Sequence, residues 1–224
     1  YKRLLNICYE RHLHHLGSYF SALQIIDEIY SEMGKDDIFI LSNGHAVVAL
    51  YVVLEKYFGL DAVELHEKYG DHPKRNELDK LHCSTGSLGM GVTVAVGRAL
   101  ANPDRNVYCL LSDGECAEGS VWEAIMAASH FKLDNLIAII DRNSYQQTGA
   151  GSDIMNSGDL RQKFSNFGWH AVDINGHDTS DIYMALNQYT DGKPKAIVAK
   201  TIKGKGFSFS EGNNAWHHAV LTEK

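Results

Sequence analysis

The run Val107-Tyr108-Cys109-Leu110-Leu111 ends in Ser112-Asp113-Gly114-Glu115, and the run Leu136-Ile137-Ala138-Ile139-Ile140 ends in Asp141-Arg142-Asn143. Short apolar runs bounded by polar residues read as buried strands. Between them, residues 120–133 carry the spacing of an amphipathic helix. A strand, a helix and a second strand predict a parallel pair joined by a crossover. In open α/β sheets ligands gather beyond the carboxyl ends of the strands. If the two strands are neighbours, Asp113 and Asn143 emerge about 5 Å apart, one strand spacing. A carboxylate and an amide oxygen then face one point, Gly114 lets a ligand approach the backbone, and a helix begins near Ser120. Hard oxygen donors beside helix N-terminal amides suit Mg²⁺ or Ca²⁺ carrying a diphosphate. The competing reading makes Asp113 a helix cap and Asn143 a turn residue; the pairing of the two strand ends favours the metal.

Working outward, residues 170–174 and 196–200 read as further strands, and residues 159–167 and 179–189 as helices. The first hundred residues read as mostly helical, over 1–15, 21–33, a segment opening after Ser42-Asn43-Gly44, and 91–100. The fold class is α/β, a parallel sheet with helices on both faces. No repeat or Pro/Gly/Ser-rich linker divides the chain, so residues 1–224 read as a single domain.

Of 224 residues, 44% are hydrophobic and 22% charged, an ordinary globular balance. A net charge of −7 argues against nucleic-acid binding, which needs basic surface to replace phosphate counterions. The longest apolar run, Ala46 to Leu54, is far short of a bilayer span, so no membrane partner is expected. Cys8, Cys83, Cys109 and Cys116 have neither zinc-site nor disulfide-framework spacing, which fits a reducing cytoplasmic location. Gly204-Lys205-Gly206 lacks P-loop spacing and reads as a solvated loop.

Asp113-Gly114, 28 residues, then Asn143 resembles the diphosphate-and-metal motif of thiamine diphosphate enzymes. Further segments, in the same order, resemble the transketolase family. They are His15-Leu16-Gly17, Leu41-Ser42-Asn43-Gly44-His45-Ala46, Ser84-Thr85-Gly86-Ser87-Leu88-Gly89-Met90-Gly91 and Lys132-Leu133-Asp134-Asn135-Leu136-Ile137-Ala138. With Phe167-Gly168-Trp169 and Lys203-Gly204-Lys205-Gly206, the resemblance covers nearly the whole chain.

The resemblance implies a thiamine diphosphate-binding fold. It implies that Asp113, Asn143 and the main-chain carbonyl of Tyr145 hold Mg²⁺, with Ca²⁺ or Mn²⁺ as substitutes. His45, Gly86, Ser87, Leu88, Gly114 and Glu115 would meet the cofactor, His15 and His72 the substrate, and Glu118 and Glu123 would lie near a subunit interface. Ser112 stands where the family has Gly, and Ser87 where it has Pro. The family's later His falls near Asn214, with His217 or His218 as alternatives. The chain ends near the close of the diphosphate domain. It therefore resembles the small subunit of a split transketolase, transferring a two-carbon ketol unit from a sugar or sugar phosphate. The partner would carry the pyrimidine-binding and C-terminal domains, most simply in a heterotetramer. Two alternatives remain open: another thiamine diphosphate enzyme subunit, deoxyxylulose-phosphate-synthase-like or decarboxylating 2-oxo acids, and a non-catalytic regulatory subunit.

Overall fold

The computed structural model describes residues 1–222. Five strands form one parallel sheet: β1 (Ile38–Leu41), β2 (Val107–Ser112), β3 (Leu136–Arg142), β4 (His170–Asn175) and β5 (Lys195–Lys200). The order across the sheet is β1-β2-β3-β5-β4. The helices are α1 (Lys2–Glu10), α2 (Leu16–Glu32), α3 (Val47–Phe58), α4 (Ala62–Tyr69), α5 (Met90–Ala101), α6 (Gly119–His130), the single turn α7 (Gly151–Ile154), α8 (Leu160–Asn166) and α9 (Thr179–Asn187).

Side chains alternate across a strand, and the sheet has a core on each face as a result. Phe39, Leu41, Tyr108, Leu110, Ile137, Ile139 and Ile197 pack with residues of α1 to α4 and α9. Ile38, Ile40, Val107, Cys109, Leu111, Ala138, Ile140 and Val198 pack with α5, α6 and α8. The three central strands are buried on both sides, which is why they read as unbroken apolar runs rather than alternating ones.

Three readings are corrected. The amino-terminal region contains a strand, β1, and its first helix stops at Glu10 rather than running to His15. Helix α2 starts at Leu16, five residues before Ser21, behind a left-handed His15 (φ 64°) that carries no side-chain cap. Helix α4 is an addition to the elements expected; Asp61 caps it, accepting from the backbone N–H groups of Val63 and Glu64.

The β2–β3 pairing is as the spacing predicts. Ser112 lies opposite Asp141, and the Asp113 N–H donates to the Asp141 carbonyl at 3.2 Å. The loops after β2 and β3 therefore leave the same edge of the sheet side by side.

Candidate active site

At that edge lies a cleft of about 520 Å³. Its floor is built from the two strand ends. Asp113 is 7% exposed; one carboxylate oxygen accepts from the Gly114 N–H (2.9 Å) and the other from the Ser144 N–H (2.7 Å). Asn143, also buried, accepts from the Tyr145 N–H through Oδ1 (3.1 Å) and donates through Nδ2 to Asp141 (3.3 Å). Asp141 is fully buried and also receives the Ser21 hydroxyl (2.6 Å) and the Thr201 hydroxyl. One carboxylate thus ties α2, the end of β5 and Asn143 together.

Burial, reinforced by the negative charge of Asp141, pushes the Asp113 carboxyl up to about 7; the Ser144 and Gly114 amides hold it back. Burial likewise raises Asp141. Two adjacent buried carboxylates form a place where a divalent cation relieves repulsion. Among the described residues no group of three or more His, Cys, Asp or Glu side chains forms a metal cluster. The donors present are a carboxylate, an amide oxygen and main-chain carbonyls, all hard oxygens that suit Mg²⁺ or Ca²⁺ rather than zinc. Gly114 lines the cleft above them, and a Cβ there would lie 3.2 Å from the Gln146 side chain. The backbone at this point is within reach of a bound group because it has no side chain.

Imidazoles form one wall. His15, at the turn into α2, lies 5.4 Å from His45 and 5.0 Å from His217, ring centre to ring centre, and His45 lies 5.7 Å from His217. Burial lowers all three, His15 to about 4 and His45 and His217 to about 3; His218 and His72 add to the effect at His15, His15 and Lys203 at His45, and Lys203 followed by His45 and His15 at His217. They are neutral near pH 7 and act as hydrogen-bonding groups rather than as cations. His15 Nδ1 is buried with no hydrogen-bond partner among the described residues.

His72 lines the cleft with Gly86 and Leu88. Gly86 has φ +148°, and a Cβ there would come within 2.9 Å of the His72 ring, so only glycine lets this ring settle against the loop. The Thr85 hydroxyl fixes the loop to the edge of β1 by donating to the Leu41 carbonyl at 2.6 Å.

The expected residues do not all reach the cleft. His15, His45, His72, Gly86, Leu88, Gly114, Asn143 and Tyr145 line it, and Asp113 lies beneath. Ser87 is exposed and is not part of the wall. Glu115 is fully buried, and its carboxylate is engaged within the protein. It accepts from the Gly89 N–H (2.7 Å), the Ser42 hydroxyl (2.5 Å) and the Ser112 N–H (3.4 Å). Its side chain braces the turns around the cleft instead of lining it. Glu118 lines the cleft; Glu123 is exposed on α6.

Ser18, Gln146 and Gln147 also line the cleft, and no motif in the sequence marks them; Lys203 lines it too, from a segment that carries the resemblance but no expected role. Lys203 corrects the reading of its segment as a solvated loop. It is 1% exposed, its ammonium donates to Asn214 Oδ1 (2.9 Å) and lies 3.1 Å from His217 Nδ1, and burial lowers it to about 8. Its stem crosses Gly17, where a Cβ would be 3.0 Å away, and the Gly204 N–H donates to the Gly17 carbonyl at 2.9 Å. Lys205, by contrast, is partly exposed and pairs with Glu211. Of the three candidates for the later His position, His217 sits inside the imidazole cluster, Asn214 supports Lys203, and His218 stands at the rim.

Comparison with known proteins accounts for this arrangement. The family described as transketolase, thiamine diphosphate binding domain, matches residues 19–224. One subunit of the apulose-4-phosphate transketolase of Phocaeicola vulgatus is 37% identical over 99% of this chain and 86% of its own length. The 6-deoxy-6-sulfo-D-fructose transketolase subunit SqwG of a Clostridium species is 36% identical over 94% of this chain and 84% of its own. A solved Pichia stipitis transketolase variant in complex with fructose 6-phosphate superimposes with a TM-score of 0.76 at 26% identity, covering 93% of this chain. This chain spans only 38% of that transketolase. A parallel sheet with paired strand-end oxygen donors, matched along almost its whole length to these proteins, places the chain in the transketolase family as a thiamine diphosphate-binding domain.

Proposed function

We propose that this chain is the diphosphate-binding subunit of a two-subunit transketolase, moving a two-carbon ketol unit from a ketose donor to an aldose acceptor. One observation carries the reading. Two transketolase subunits match 94–99% of this chain at 36–37% identity. A second chain bearing the pyrimidine-binding and C-terminal domains completes the site, in a heterotetramer with two copies of each. The donor is a sugar or sugar phosphate. Free Cys8, Cys83, Cys109 and Cys116 support a cytoplasmic location. Among the described residues no helix is long and apolar enough to cross a membrane.

Asp113, Asn143 and the Tyr145 carbonyl would hold a divalent ion, Mg²⁺ in the first instance, whose charge would offset that of the paired buried carboxylates and of a diphosphate. Gly114 and the wall of Gly86, Leu88 and His45 position the cofactor. When bound, thiamine diphosphate supplies the electron sink that carbon–carbon cleavage requires. His15, His72 and His217 bind donor hydroxyls and hold or pass protons there, as imidazoles do. Lys203, held among Asn214 and His217 and within the field of both carboxylates, adds a cation to the wall that meets the diphosphate.

Asp113→Ala tests the assignment. Calorimetric titration of the assembled complex with thiamine diphosphate and Mg²⁺ is expected to show affinity falling by more than about a hundredfold, with ketol transfer lost. Unaltered, Mg²⁺-dependent binding in the variant would overturn the assignment.

A further inference from the structure

Lys203 reaches the cleft from the segment that follows β5, and that segment is held by a side chain that lines no part of the cleft. We propose that this side chain, His177, is a positioning residue: by holding the Ile202 amide it sets Lys203 in the cleft wall and raises the affinity for a diphosphate, an inference that rests on the reading above in which Lys203 meets that group.

The turn after β4 lies against the end of β5. The Gly176 N–H donates to the Lys200 carbonyl at 2.8 Å. A Cβ on Gly176 would lie 2.6 Å from Thr201 Cγ2 and 3.0 Å from the Ala199 Cβ, so glycine is what lets the two segments approach this closely. His177 follows directly. Its own N–H donates to Asn175 Oδ1 at 3.1 Å, and its Nε2 accepts the Ile202 N–H at 2.8 Å. Only an unprotonated ring nitrogen can accept, so this bond fixes the tautomer and puts the proton on Nδ1. That Nδ1 is buried and has no partner among the described residues, so the ring is held by Nε2. Burial lowers His177, with Lys205 adding to the effect and Glu211 opposing it, which favours the neutral ring the contact needs.

The neighbours of Ile202 are held by other means. The Thr201 N–H donates to the Arg142 carbonyl at 3.1 Å and its hydroxyl to Asp141. The Lys203 carbonyl accepts from the Gly212 N–H at 2.9 Å. Ile202 stands between them with a side chain at the surface, and His177 is what ties its amide to the fold. Without that acceptor the amide turns to water and the residue preceding Lys203 gains freedom. The lysine stem over Gly17 and the ammonium between Asn214 and His217 are then less firmly set, and ordering them again opposes ligand binding.

The test is a double-mutant cycle on the complex of this chain with its partner, read by calorimetric titration with thiamine diphosphate in the presence of Mg²⁺. His177→Phe keeps a ring and removes the acceptor. It is expected to weaken binding about tenfold, whereas in a Lys203→Met background the same substitution is expected to change affinity by less than about twofold. His177→Gln, whose amide oxygen can take the place of Nε2, is expected to restore most of the affinity. Equal losses in both backgrounds, or no loss in either, make His177 a purely structural residue and overturn the inference. Unchanged affinity in Lys203→Met overturns it too and leaves the transketolase reading standing. If His177→Phe does not fold, His177→Asn, too short to reach the Ile202 amide, takes its place in the cycle with the same expectations. A wild-type complex that binds no thiamine diphosphate overturns both readings.

Discussion

Asp141 illustrates how much one buried side chain decides. It faces no solvent, yet three donors from three chain segments converge on it: the Ser21 and Thr201 hydroxyls and the Asn143 amide. A charge buried this deeply persists only when hydrogen bonds replace its water. The Asn143 bond matters most for the site, because it orients the amide so that Oδ1 is presented beside Asp113. Asp141→Ala leaves the Ser21 and Thr201 hydroxyls without their partner and frees Asn143. Stability is expected to fall by about 1–3 kcal/mol in urea unfolding. Mg²⁺-dependent thiamine diphosphate affinity is expected to fall about ten- to a hundredfold, although Asp141 lies behind the cleft floor. Unchanged affinity in a folded Asp141→Ala protein would show that Asn143 is oriented by other means.

At the scale of elements, the contact between α5 and the end of β1 sets the shape of the cleft rim. A Cβ on Gly91 would lie 2.5 Å from the Ser42 Cα and 2.4 Å from its hydroxyl. That hydroxyl donates to Glu115, which also receives the Gly89 amide. Gly91→Ala therefore forces α5 away from β1 and strains the Ser42–Glu115 contact. The expected cost is about 1–3 kcal/mol, read as a lowered urea midpoint with an unchanged slope. The elements differ in how visible they are in the sequence. Strands β2 and β3 are legible because both faces are covered and the apolar run is unbroken. Strand β1 is only four residues long and passes straight into Ser42-Asn43-Gly44, so its hydrophobic signal merges with the helix that follows. The start of α2 is hidden for a different reason. No Ser, Thr, Asp or Asn caps it, and Ser18 and Ser21 both lie inside the helix, Ser21 as a donor to Asp141. The Asp113–Asn143 pair is legible from the strand ends alone, whereas Lys203 is not, since a lysine opening a Lys-Gly-Lys-Gly run reads as solvent-exposed until Gly17 is seen beneath it.

On the scale of the whole molecule, the imidazole cluster joins parts of the chain distant in sequence: the turn before α2, the turn before α3 and the carboxyl-terminal turn that bears His217. Its titration is therefore a property of global stability. In the folded chain His15 is lowered to about 4, and His45 and His217 to about 3, against the ordinary value of 6.5. Below 6.5 the unfolded chain takes up protons at these positions while the folded chain does not, so the unfolded state binds more protons and stability falls with falling pH. The loss begins near pH 6.5, grows through pH 4 and levels off only below the folded values. Raising the pH above 6.5 adds nothing from these groups, because all three are then neutral in both states. For the cofactor-free chain, thermal melts between pH 8 and pH 4 are expected to show a falling midpoint as pH drops through that window. His217→Gln keeps a neutral polar group of similar reach but cannot take up the proton, so its midpoint is expected to fall less steeply over the same range. Parallel curves for wild type and His217→Gln would show that the acid sensitivity arises from other groups and that the cluster accepts protons in the folded state.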